Sequence, residues 1–286
     1  MGALFDRFLK ERLYLKNVSP RTIEWHEQSL NWLGAEHPTE TDLRDFVVRM
    51  RTAGLKASSV NCRIRSVNAY LHWAQNGTEK CGAGCRNHLR VPKLKEEEWI
   101  PATYSTKQVQ NIIRWKPRGF FQRRIHALLL TLFDTGIRLD EALSLKVADC
   151  DLDNLLLTVM GKGRKQRLVP FSIELRRVLA RFILNFSLQA HAFLFGTKRG
   201  RKMSERNVLR DVKVLCKRLG FDAPRRSCHA TRHTFSLNYL RRGGGEFRLQ
   251  KILGQTTLEM TRRYVNLLTE DLQAVHERVS LLSCAA

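Results

Sequence analysis

The sequence lacks long apolar runs and has few acidic residues for its number of basic ones. No stretch of about 18 consecutive apolar residues occurs and no signal peptide opens the chain, so we expect neither a membrane-spanning nor a secreted protein. Only 27 Asp and Glu stand against 50 Lys and Arg, which gives a formal net charge of +23. Such an excess favours a polyanionic partner, most simply nucleic acid, although charge alone does not separate DNA from RNA or an enzyme from a binding protein.

Cysteine is present in neither the number nor the spacing that a disulfide-stabilised domain needs. The seven cysteines are an odd number at irregular spacing, so we expect free thiols in a reducing cytosol. Cys81, Cys85 and His88 are spaced as zinc ligands can be, but no fourth ligand follows at a matching distance and two glycines mark the segment as a loop. We therefore predict no metal and no cofactor.

Hydrophobic periodicity divides the sequence into two basic domains. Apolar residues spaced by three or four positions predict four amphipathic helices in residues 1–88. Ser19-Pro20 marks the start of the second helix, Thr39 or Thr41 caps the third, and Ser58 or Ser59 opens the fourth. Gly, Pro and a charged run then interrupt the pattern, and we place an extended linker at residues 89–103. Residues 104–286 form the second domain in this prediction.

The second domain is predicted to combine helices with a short sheet. A strongly apolar helix spans residues 120–133. Residues 155–160 and 167–171 are β-prone and flank Gly161-Lys162-Gly163, which predicts a hairpin with a basic tip. Further helices are predicted after Ser105 and at residues 138–145, 172–185, 204–219, 229–242, 246–253, 257–266 and 269–282. The expected fold class is therefore mainly α with a small antiparallel β-sheet.

Four short motifs follow one another in the second domain. They are T-G-I-R ending at Arg138, the G-K-G turn around Lys162, H-A-T-R-H beginning at His229, and L-G-Q ending at Gln255, with Tyr264 nine residues further on. In this order the motifs resemble the tyrosine recombinase family, which includes phage integrases, Xer-type resolvases and transposon recombinases. The resemblance covers about residues 104–286, and the preceding helical unit looks like the core-binding domain of that family.

The resemblance implies an enzyme that cleaves and rejoins DNA through a 3′-phosphotyrosine intermediate, without metal or ATP. Its transition state carries extra negative charge on phosphate oxygens, which the forked, permanently charged donors of arginine match. By resemblance, Arg138 and Arg232 bind the phosphate, Lys162 is the general acid and His229 assists proton transfer. Tyr264 is the nucleophile, since it is the one tyrosine of five that follows L-G-Q at a suitable distance.

Several of these residues have alternative interpretations. The family usually has His or Trp where this chain has Gln255, whose amide donates hydrogen bonds but cannot act as an acid or base. Glu141 lies three residues after Arg138 and is expected to orient that arginine or a neighbouring cation. Lys165 is the alternative general acid, and His229 is alternatively a helix cap. A buried aromatic side chain is the alternative for the proposed nucleophile.

Basic residues outside the motifs are candidates for DNA contacts, with solvated surface as the alternative. Those in the first domain and in the helix at 204–219 are candidates for reading sequence in a groove. The candidates are Arg63, Arg65, Lys93, Lys198, Arg199, Arg201, Lys202, Arg206, Arg210, Arg225 and Arg226. Two basic domains joined by an extended linker suit a protein that closes around duplex DNA.

The assembly is predicted from an apolar stripe beyond the nucleophile. The stripe, in residues 272–282, implies by resemblance a helix that docks on a neighbouring protomer, so we expect a monomer that forms a homo-tetramer on two DNA sites. The alternative is a helix packed on its own domain. We expect the chain to start directly at the core-binding unit without an arm-binding module, which favours an Xer-like or transposon-type system. The sequence does not say whether accessory proteins are needed.

The predicted function is site-specific recombination of double-stranded DNA in the prokaryotic cytosol, for integration, excision or resolution of a mobile element. A catalytically inactive, sequence-specific DNA-binding regulator on the same fold is one alternative, because it needs the basic surface but no nucleophile. A type IB topoisomerase-like enzyme is another, because it shares the chemistry without choosing a site. An RNA-binding protein is the third, and it rests on charge alone.

Overall fold

The computed structural model describes residues 2–77, 89–96, 101–161 and 165–255. The chain divides into two compact units, Met1–Trp99 and Ile100–Ala286. The domain and linker borders proposed from the sequence remain a prediction. Among the described residues, no helix combines the length and the apolar character that crossing a lipid bilayer requires.

Residues 2–77 form four α-helices, as the periodicity predicts. They are α1 (Ala3–Tyr14), α2 (Pro20–Leu33), α3 (Glu40–Thr52) and α4 (Ala57–Gly77). Two of the predicted helix starts are confirmed: the Ser19 hydroxyl accepts the backbone N–H of Thr22, and Thr39 forms a capping box with Asp42. The predicted opening of α4 at Ser58 or Ser59 is wrong, because the carbonyl of Lys56 accepts the first helical hydrogen bonds and the helix already begins at Ala57.

The core of the first unit is built around a cluster of aromatic rings in edge-to-face and tilted contact. Phe8 and Tyr70 are fully buried, and their ring centroids lie 5.4 Å apart in an edge-to-face arrangement. Residues 89–96 carry neither helix nor strand and lie along α4, where Asn61 and Asn68 form hydrogen bonds with the backbone of this segment. This stretch of the predicted linker is therefore anchored to the first unit.

A buried histidine makes the stability of the first unit sensitive to acid. His26 is 1% exposed, and its Nδ1 shares a 2.7 Å hydrogen bond with the hydroxyl of Ser66. Burial, followed by the positive charge of Arg12, lowers the pKa of His26 from 6.5 to about 4. Since only the unfolded chain binds a proton between these two values, we expect the free energy of unfolding to fall by up to about 3 kcal/mol as the pH drops from 6.5 towards 4.

Urea unfolding of the full chain at pH 7 and pH 5 measures this effect. We expect a His26→Gln variant to lose the part of the difference that belongs to the first unit, whereas the buried histidines of the second unit, whose pKa values are also lowered, keep theirs. A His37→Gln variant is the matched control, because His37 is exposed in the same unit, and it should keep the difference. Equal pH sensitivity of His26→Gln and the wild type would contradict the assignment.

The second unit combines seven described helices with a three-stranded sheet. The helices are α5 (Thr106–Arg114), α6 (Gly119–Thr135), α7 (Leu139–Ser144), α8 (Ile173–Asn185), α9 (Glu205–Arg218), α10 (Ser227–Arg241) and α11 (Glu246–Leu253), with a 3-10 turn at Val147–Asp149. The strands β1 (Cys150–Asp151), β2 (Leu156–Met160) and β3 (Gln166–Pro170) pair antiparallel in the order β1-β2-β3. The predicted fold class is confirmed, although the two-residue strand β1 was not predicted.

Helix α6 is the centre of the second core. Its Leu128, Leu129 and Leu132 are buried, and the helix packs against both α8 and α10. Gly136 ends α6 with φ 63°, a left-handed conformation that suits glycine. A β-carbon at Gly136 would also overlap the ring of Phe235 on α10. The end of α6 is thus held against α10, which brings the segment that leads to Arg138 close to the helix that carries His229 and Arg232.

The two predicted helices after residue 255, at 257–266 and 269–282, lie outside the described residues. So do Lys162 and Gly163 of the G-K-G turn, the following Arg164, and the Cys81, Cys85 and His88 cluster. The hairpin that carries the turn is described on both sides: Val159 pairs with Arg167, and the N–H of Gly161 donates to the carbonyl of Lys165 at 2.9 Å. The predicted antiparallel hairpin is therefore confirmed up to its tip.

Candidate active site

The first candidate residue, Arg138, is held at the start of α7 by Glu141. One carboxylate oxygen of Glu141 accepts the backbone N–H of Arg138 at 2.8 Å, and the other accepts Nη1 of the same residue at 3.0 Å. The Arg138 side chain is 39% exposed, whereas that of Glu141 is 6% exposed. The guanidinium is therefore oriented by a buried carboxylate while part of it still reaches solvent, as a phosphate-binding arginine needs.

The second candidate arginine lies on α10 and joins two chain segments. Arg232 is buried and donates from Nη1 to the carbonyl of Gly136 at 2.8 Å and from Nη2 to that of Leu253 at 2.9 Å. It therefore fixes α10 to the loop that precedes Arg138 and to the end of α11. The H-A-T-R-H motif places His229 three residues earlier on the same face of α10.

Helix α10 begins earlier than the sequence predicts. Arg226 takes the left-handed conformation with φ 56° and is the N-cap, and its carbonyl accepts the N–H of His229 at 2.7 Å. His229 consequently lies inside the first turn, and the alternative of a helix-capping histidine is wrong. The exposed Arg225 and Arg226 stand immediately before the helix.

Positive charge surrounds His229. Desolvation of the ring, followed by the charges of Arg232 and Arg226, lowers the pKa of His229 below its ordinary value of 6.5. The charge of Arg138 acts in the same direction. At neutral pH the imidazole is therefore uncharged and can accept a proton. Arg232 lies three residues further along the same helix and donates to the carbonyl of Gly136, two residues before Arg138, so the three residues belong to one region of the second unit. The neighbouring His233 is held neutral as well, with a pKa that burial lowers to about 4.

A residue that the sequence did not single out completes the network. Arg167 on β3 donates from Nη1 and Nη2 to the two carboxylate oxygens of Glu141, at 3.0 and 2.9 Å, and from Nε to the carbonyl of Ile252 at 2.9 Å. Its side chain is 14% exposed. These bonds lower the pKa of Glu141 despite its burial, together with the bonds from Arg138. Arg167 was missed because it is one of three basic residues in four positions of a basic hairpin.

Gln255 stands at the edge of this network. It directly follows Gly254, which ends α11 with φ 62°, and its backbone N–H donates to the carbonyl of Gln250 at 3.1 Å. The structure thus brings together five of the seven predicted site residues: Arg138, Glu141, His229, Arg232 and Gln255. The remaining two, Lys162 and Tyr264, lie outside the described residues, and Lys165, the alternative general acid, is exposed beside the hairpin tip.

The candidate DNA contacts fall into two groups. Arg63 donates to Gln28, to Ser29 and to the carbonyl of Trp25, so its guanidinium is engaged by α2, and Lys202 binds Asp140 and Ser144 of α7. The other candidates are exposed side chains: Arg65, Lys93, Lys198, Arg199, Arg201, Arg206, Arg210, Arg225 and Arg226. Of these, Arg210 also pairs with its neighbour Asp211.

We expect Glu141→Gln to destabilise the second unit. The change removes a buried negative charge and leaves Arg167 without its carboxylate, and losing one partner of a buried ion pair costs about 3 kcal/mol. Urea unfolding measures the loss. Asp153→Asn is the matched control, because Asp153 pairs with Arg176 while 93% exposed. The free energy of unfolding of Asp153→Asn should differ from that of the wild type by less than about 1 kcal/mol. A Glu141→Gln variant as stable as the wild type would contradict the expected cost of removing the buried carboxylate.

Metal ligands are absent from the described parts of the chain. Residues 2–77, 89–96, 101–161 and 165–255 contain no group of three or more His, Cys, Asp or Glu arranged to hold a metal ion. The acidic residue nearest the site, Glu141, is bound by two arginines.

Residues 103–271 match the phage integrase family. The chain is 27% identical to tyrosine recombinase XerA of Pyrococcus furiosus, over 94% of this chain and 92% of the relative. It is 28% identical to tyrosine recombinase XerC of Xanthomonas axonopodis pv. citri, over 95% of this chain and 94% of the relative. These relatives match along nearly their whole length.

Solved structures share the fold at lower identity. The Tn1549 transposon integrase in complex with transposon right end DNA superposes with a TM-score of 0.73 at 18% identity, covering 98% of this chain and 100% of the other. XerH site-specific recombinase bound to palindromic difH substrate gives a TM-score of 0.70 at 17% identity, covering 97% and 84%. Because the family match spans more than half of the sequence and includes every predicted motif, the chain belongs to the phage integrase family of tyrosine recombinases, which are site-specific DNA recombinases.

Proposed function

We propose that this protein is a site-specific recombinase that cleaves and rejoins duplex DNA through a 3′-phosphotyrosine intermediate. The observation that carries the proposal is that Arg232, which shares one face of α10 with His229, donates to the carbonyl of Gly136, two residues before Arg138 at the start of α7. Two guanidinium groups and an uncharged imidazole form a site for a phosphodiester anion and for a proton in transit.

The reaction needs a nucleophile, a general acid and a charge-stabilising site. In our proposal the phenolic oxygen of Tyr264 attacks the phosphorus and its proton passes to His229, while Arg138 and Arg232 stabilise the charge on the non-bridging oxygens. The P–O bond to the 5′ oxygen breaks, and Lys162 protonates this leaving group. Rejoining is the reverse: a 5′ hydroxyl attacks the phosphotyrosine and releases the tyrosine. Bond energy is conserved, so we propose that neither metal nor ATP takes part.

The other tyrosines support Tyr264 as the nucleophile. Tyr70 and Tyr104 are buried in the two cores, and burial raises the pKa of both side chains, that of Tyr70 to about 12. Neither phenol is accessible to a DNA backbone. Tyr14 lies in the first unit, and Tyr239 lies on α10, where its ring packs against Phe235. Tyr264 alone follows the L-G-Q motif.

We further propose that the protein assembles as a homo-tetramer on two recombination sites through its C-terminal residues, which lie outside the described part. Its relatives and structural neighbours include Xer recombinases and a transposon integrase, and both chromosomal resolution and mobility of a transposable element fit the proposed chemistry. We favour integration, excision or resolution of a mobile element in the prokaryotic cytosol. The exposed basic residues named above would contact DNA phosphates.

A suicide substrate tests the function. The substrates are duplexes that carry the inverted repeats found in the DNA on either side of the coding region. Each duplex has one nick, and the position of the nick differs from one duplex to the next. When cleavage occurs close to the nick, the short 5′-hydroxyl fragment diffuses away and the covalent intermediate cannot be rejoined. We expect a covalent protein–DNA adduct that forms in the presence of EDTA. Sequence-specific binding without any adduct would indicate the regulator. Relaxation of a plasmid without the repeats would indicate the topoisomerase-like enzyme. Tighter binding to RNA than to duplex DNA would indicate an RNA-binding protein.

A further inference from the structure

The guanidinium of Arg167 contacts three segments that lead to Arg138, Lys162 and Tyr264. It binds Glu141, which holds Arg138 on α7. It lies beside Gly161 at the neck of the β2–β3 hairpin, where an added β-carbon would stand 3.3 Å from its Nη1. It also binds the carbonyl of Ile252 near the end of α11.

The end of α11 is shaped to receive this side chain. A β-carbon at Gly254 would lie 3.0 Å from Cζ and Nε of Arg167, so the glycine lets the backbone approach the guanidinium closely. Arg167 and Arg232 bind the consecutive carbonyls of Ile252 and Leu253. Two arginines from different elements thus hold the turn that leads from α11 to Gln255.

Direct contact of Arg167 with DNA is disfavoured by its surroundings. The side chain is 14% exposed, against 39% for Arg138, and Nε, Nη1 and Nη2 all donate within the protein. Two parallel hydrogen bonds from the guanidinium of Arg167 to both oxygens of Glu141 fix the plane of that carboxylate. A single ammonium group cannot fix it in this way. The effect of Arg167 on the reaction must therefore pass through the groups it holds.

We infer that Arg167 is a positioning residue for DNA cleavage: it fixes Glu141 so that Arg138 faces the scissile phosphate, and it fixes the end of α11 ahead of the segment that carries Tyr264. The inference rests on the proposed function. Its consequence is that Arg167 determines the rate of cleavage of bound DNA rather than the affinity for DNA.

The test separates affinity from cleavage in Arg167→Leu and Arg167→Lys variants of the full chain. We expect the single-turnover rate of adduct formation at saturating protein to fall by about 10- to 100-fold in Arg167→Leu, with the Kd for the same duplex unchanged. Arg167→Lys, which keeps one charged donor, should recover part of the rate. Arg176→Leu is the matched control, because Arg176 makes one exposed ion pair in the same unit, and it should cleave like the wild type.

A wild-type cleavage rate in folded Arg167→Leu, or a loss explained entirely by weaker DNA binding, would overturn the inference. Full loss in Arg167→Lys without partial recovery would count against positioning through charge and geometry. If the wild type itself forms no adduct, the proposed function fails, and amide hydrogen exchange without DNA still decides the role of Arg167. We expect exchange at Arg138 and Gln255 to quicken about tenfold in Arg167→Leu; unchanged exchange at both amides would overturn the positioning role.

Discussion

We expect Tyr264→Phe to bind its DNA with wild-type affinity and to form no covalent adduct. The change removes one phenolic oxygen, and no other group in the proposed site can attack phosphorus. Loss of the nucleophile of a covalent enzyme reduces the rate by about 10⁶-fold, which places adduct formation below detection. Incubation with the nicked duplex and denaturing electrophoresis measures the adduct, and a mobility shift of the same duplex measures binding.

The control for Tyr264→Phe is Tyr239→Phe, which removes a phenolic oxygen from α10 beside the site. The Tyr239 ring packs against Phe235 with centroids 5.8 Å apart, a contact that phenylalanine preserves. We expect this variant to form the adduct at the wild-type rate. Adduct formation by Tyr264→Phe, or its loss in Tyr239→Phe alone, would show that the nucleophile is assigned to the wrong tyrosine.

Arg232→Ala should have the second largest effect, because it removes both a phosphate-binding charge and a structural bond. An arginine that stabilises a phosphoryl transition state contributes about 10³- to 10⁵-fold in rate, and we expect a loss in that range. The variant also leaves the carbonyls of Gly136 and Leu253 without the Arg232 donors. Each buried acceptor left unpaired costs about 1–3 kcal/mol, so the unfolding free energy should fall as well.

Arg232→Lys separates the two contributions. Lysine keeps the positive charge but cannot donate to both carbonyls from a planar fork. We expect it to recover much of the stability and to remain about 10²-fold slower in adduct formation. Arg241→Lys, at the exposed end of the same helix, is the matched control and should leave both properties unchanged. Full activity in Arg232→Lys would mean that the reaction requires only the positive charge at this position and not the planar arrangement of the guanidinium donors.

Local signals explain how much of the fold the sequence predicts. Ser19 followed by Pro20, and Thr39 three residues before Asp42, determine their helix starts through bonds within one turn, so both are predictable. The start of α10 is not predictable in this way. Arg226 adopts a left-handed conformation there, and this conformation is typical of glycine or asparagine but not of arginine. Strand β1 has two residues and exists only through its pairing with β2. Such elements depend on tertiary contacts.

The same distinction applies to the site. Arg138, His229 and Arg232 belong to short motifs, and the resemblance of these motifs to the tyrosine recombinase family indicates their roles. Glu141 was recognised from its three-residue separation from Arg138, which the structure supports with two hydrogen bonds. Arg167 lies 26 positions after Glu141 and 85 before Ile252, and nothing in a run of basic residues marks which one turns inward. Only the packing of β3 against α11, and the ion pair that Arg167 forms with Glu141 on α7, select it.

The central claim is that one tyrosine oxygen becomes bonded to DNA phosphorus. Trapping the wild-type protein on a nicked duplex, digesting both protein and DNA, and sequencing the modified peptide by mass spectrometry test it most directly. We expect a nucleotide 3′-phosphate attached to Tyr264, in a peptide that disappears in the Tyr264→Phe variant. A nucleotide attached to any other residue, or cleaved DNA ends without attached protein, would contradict it.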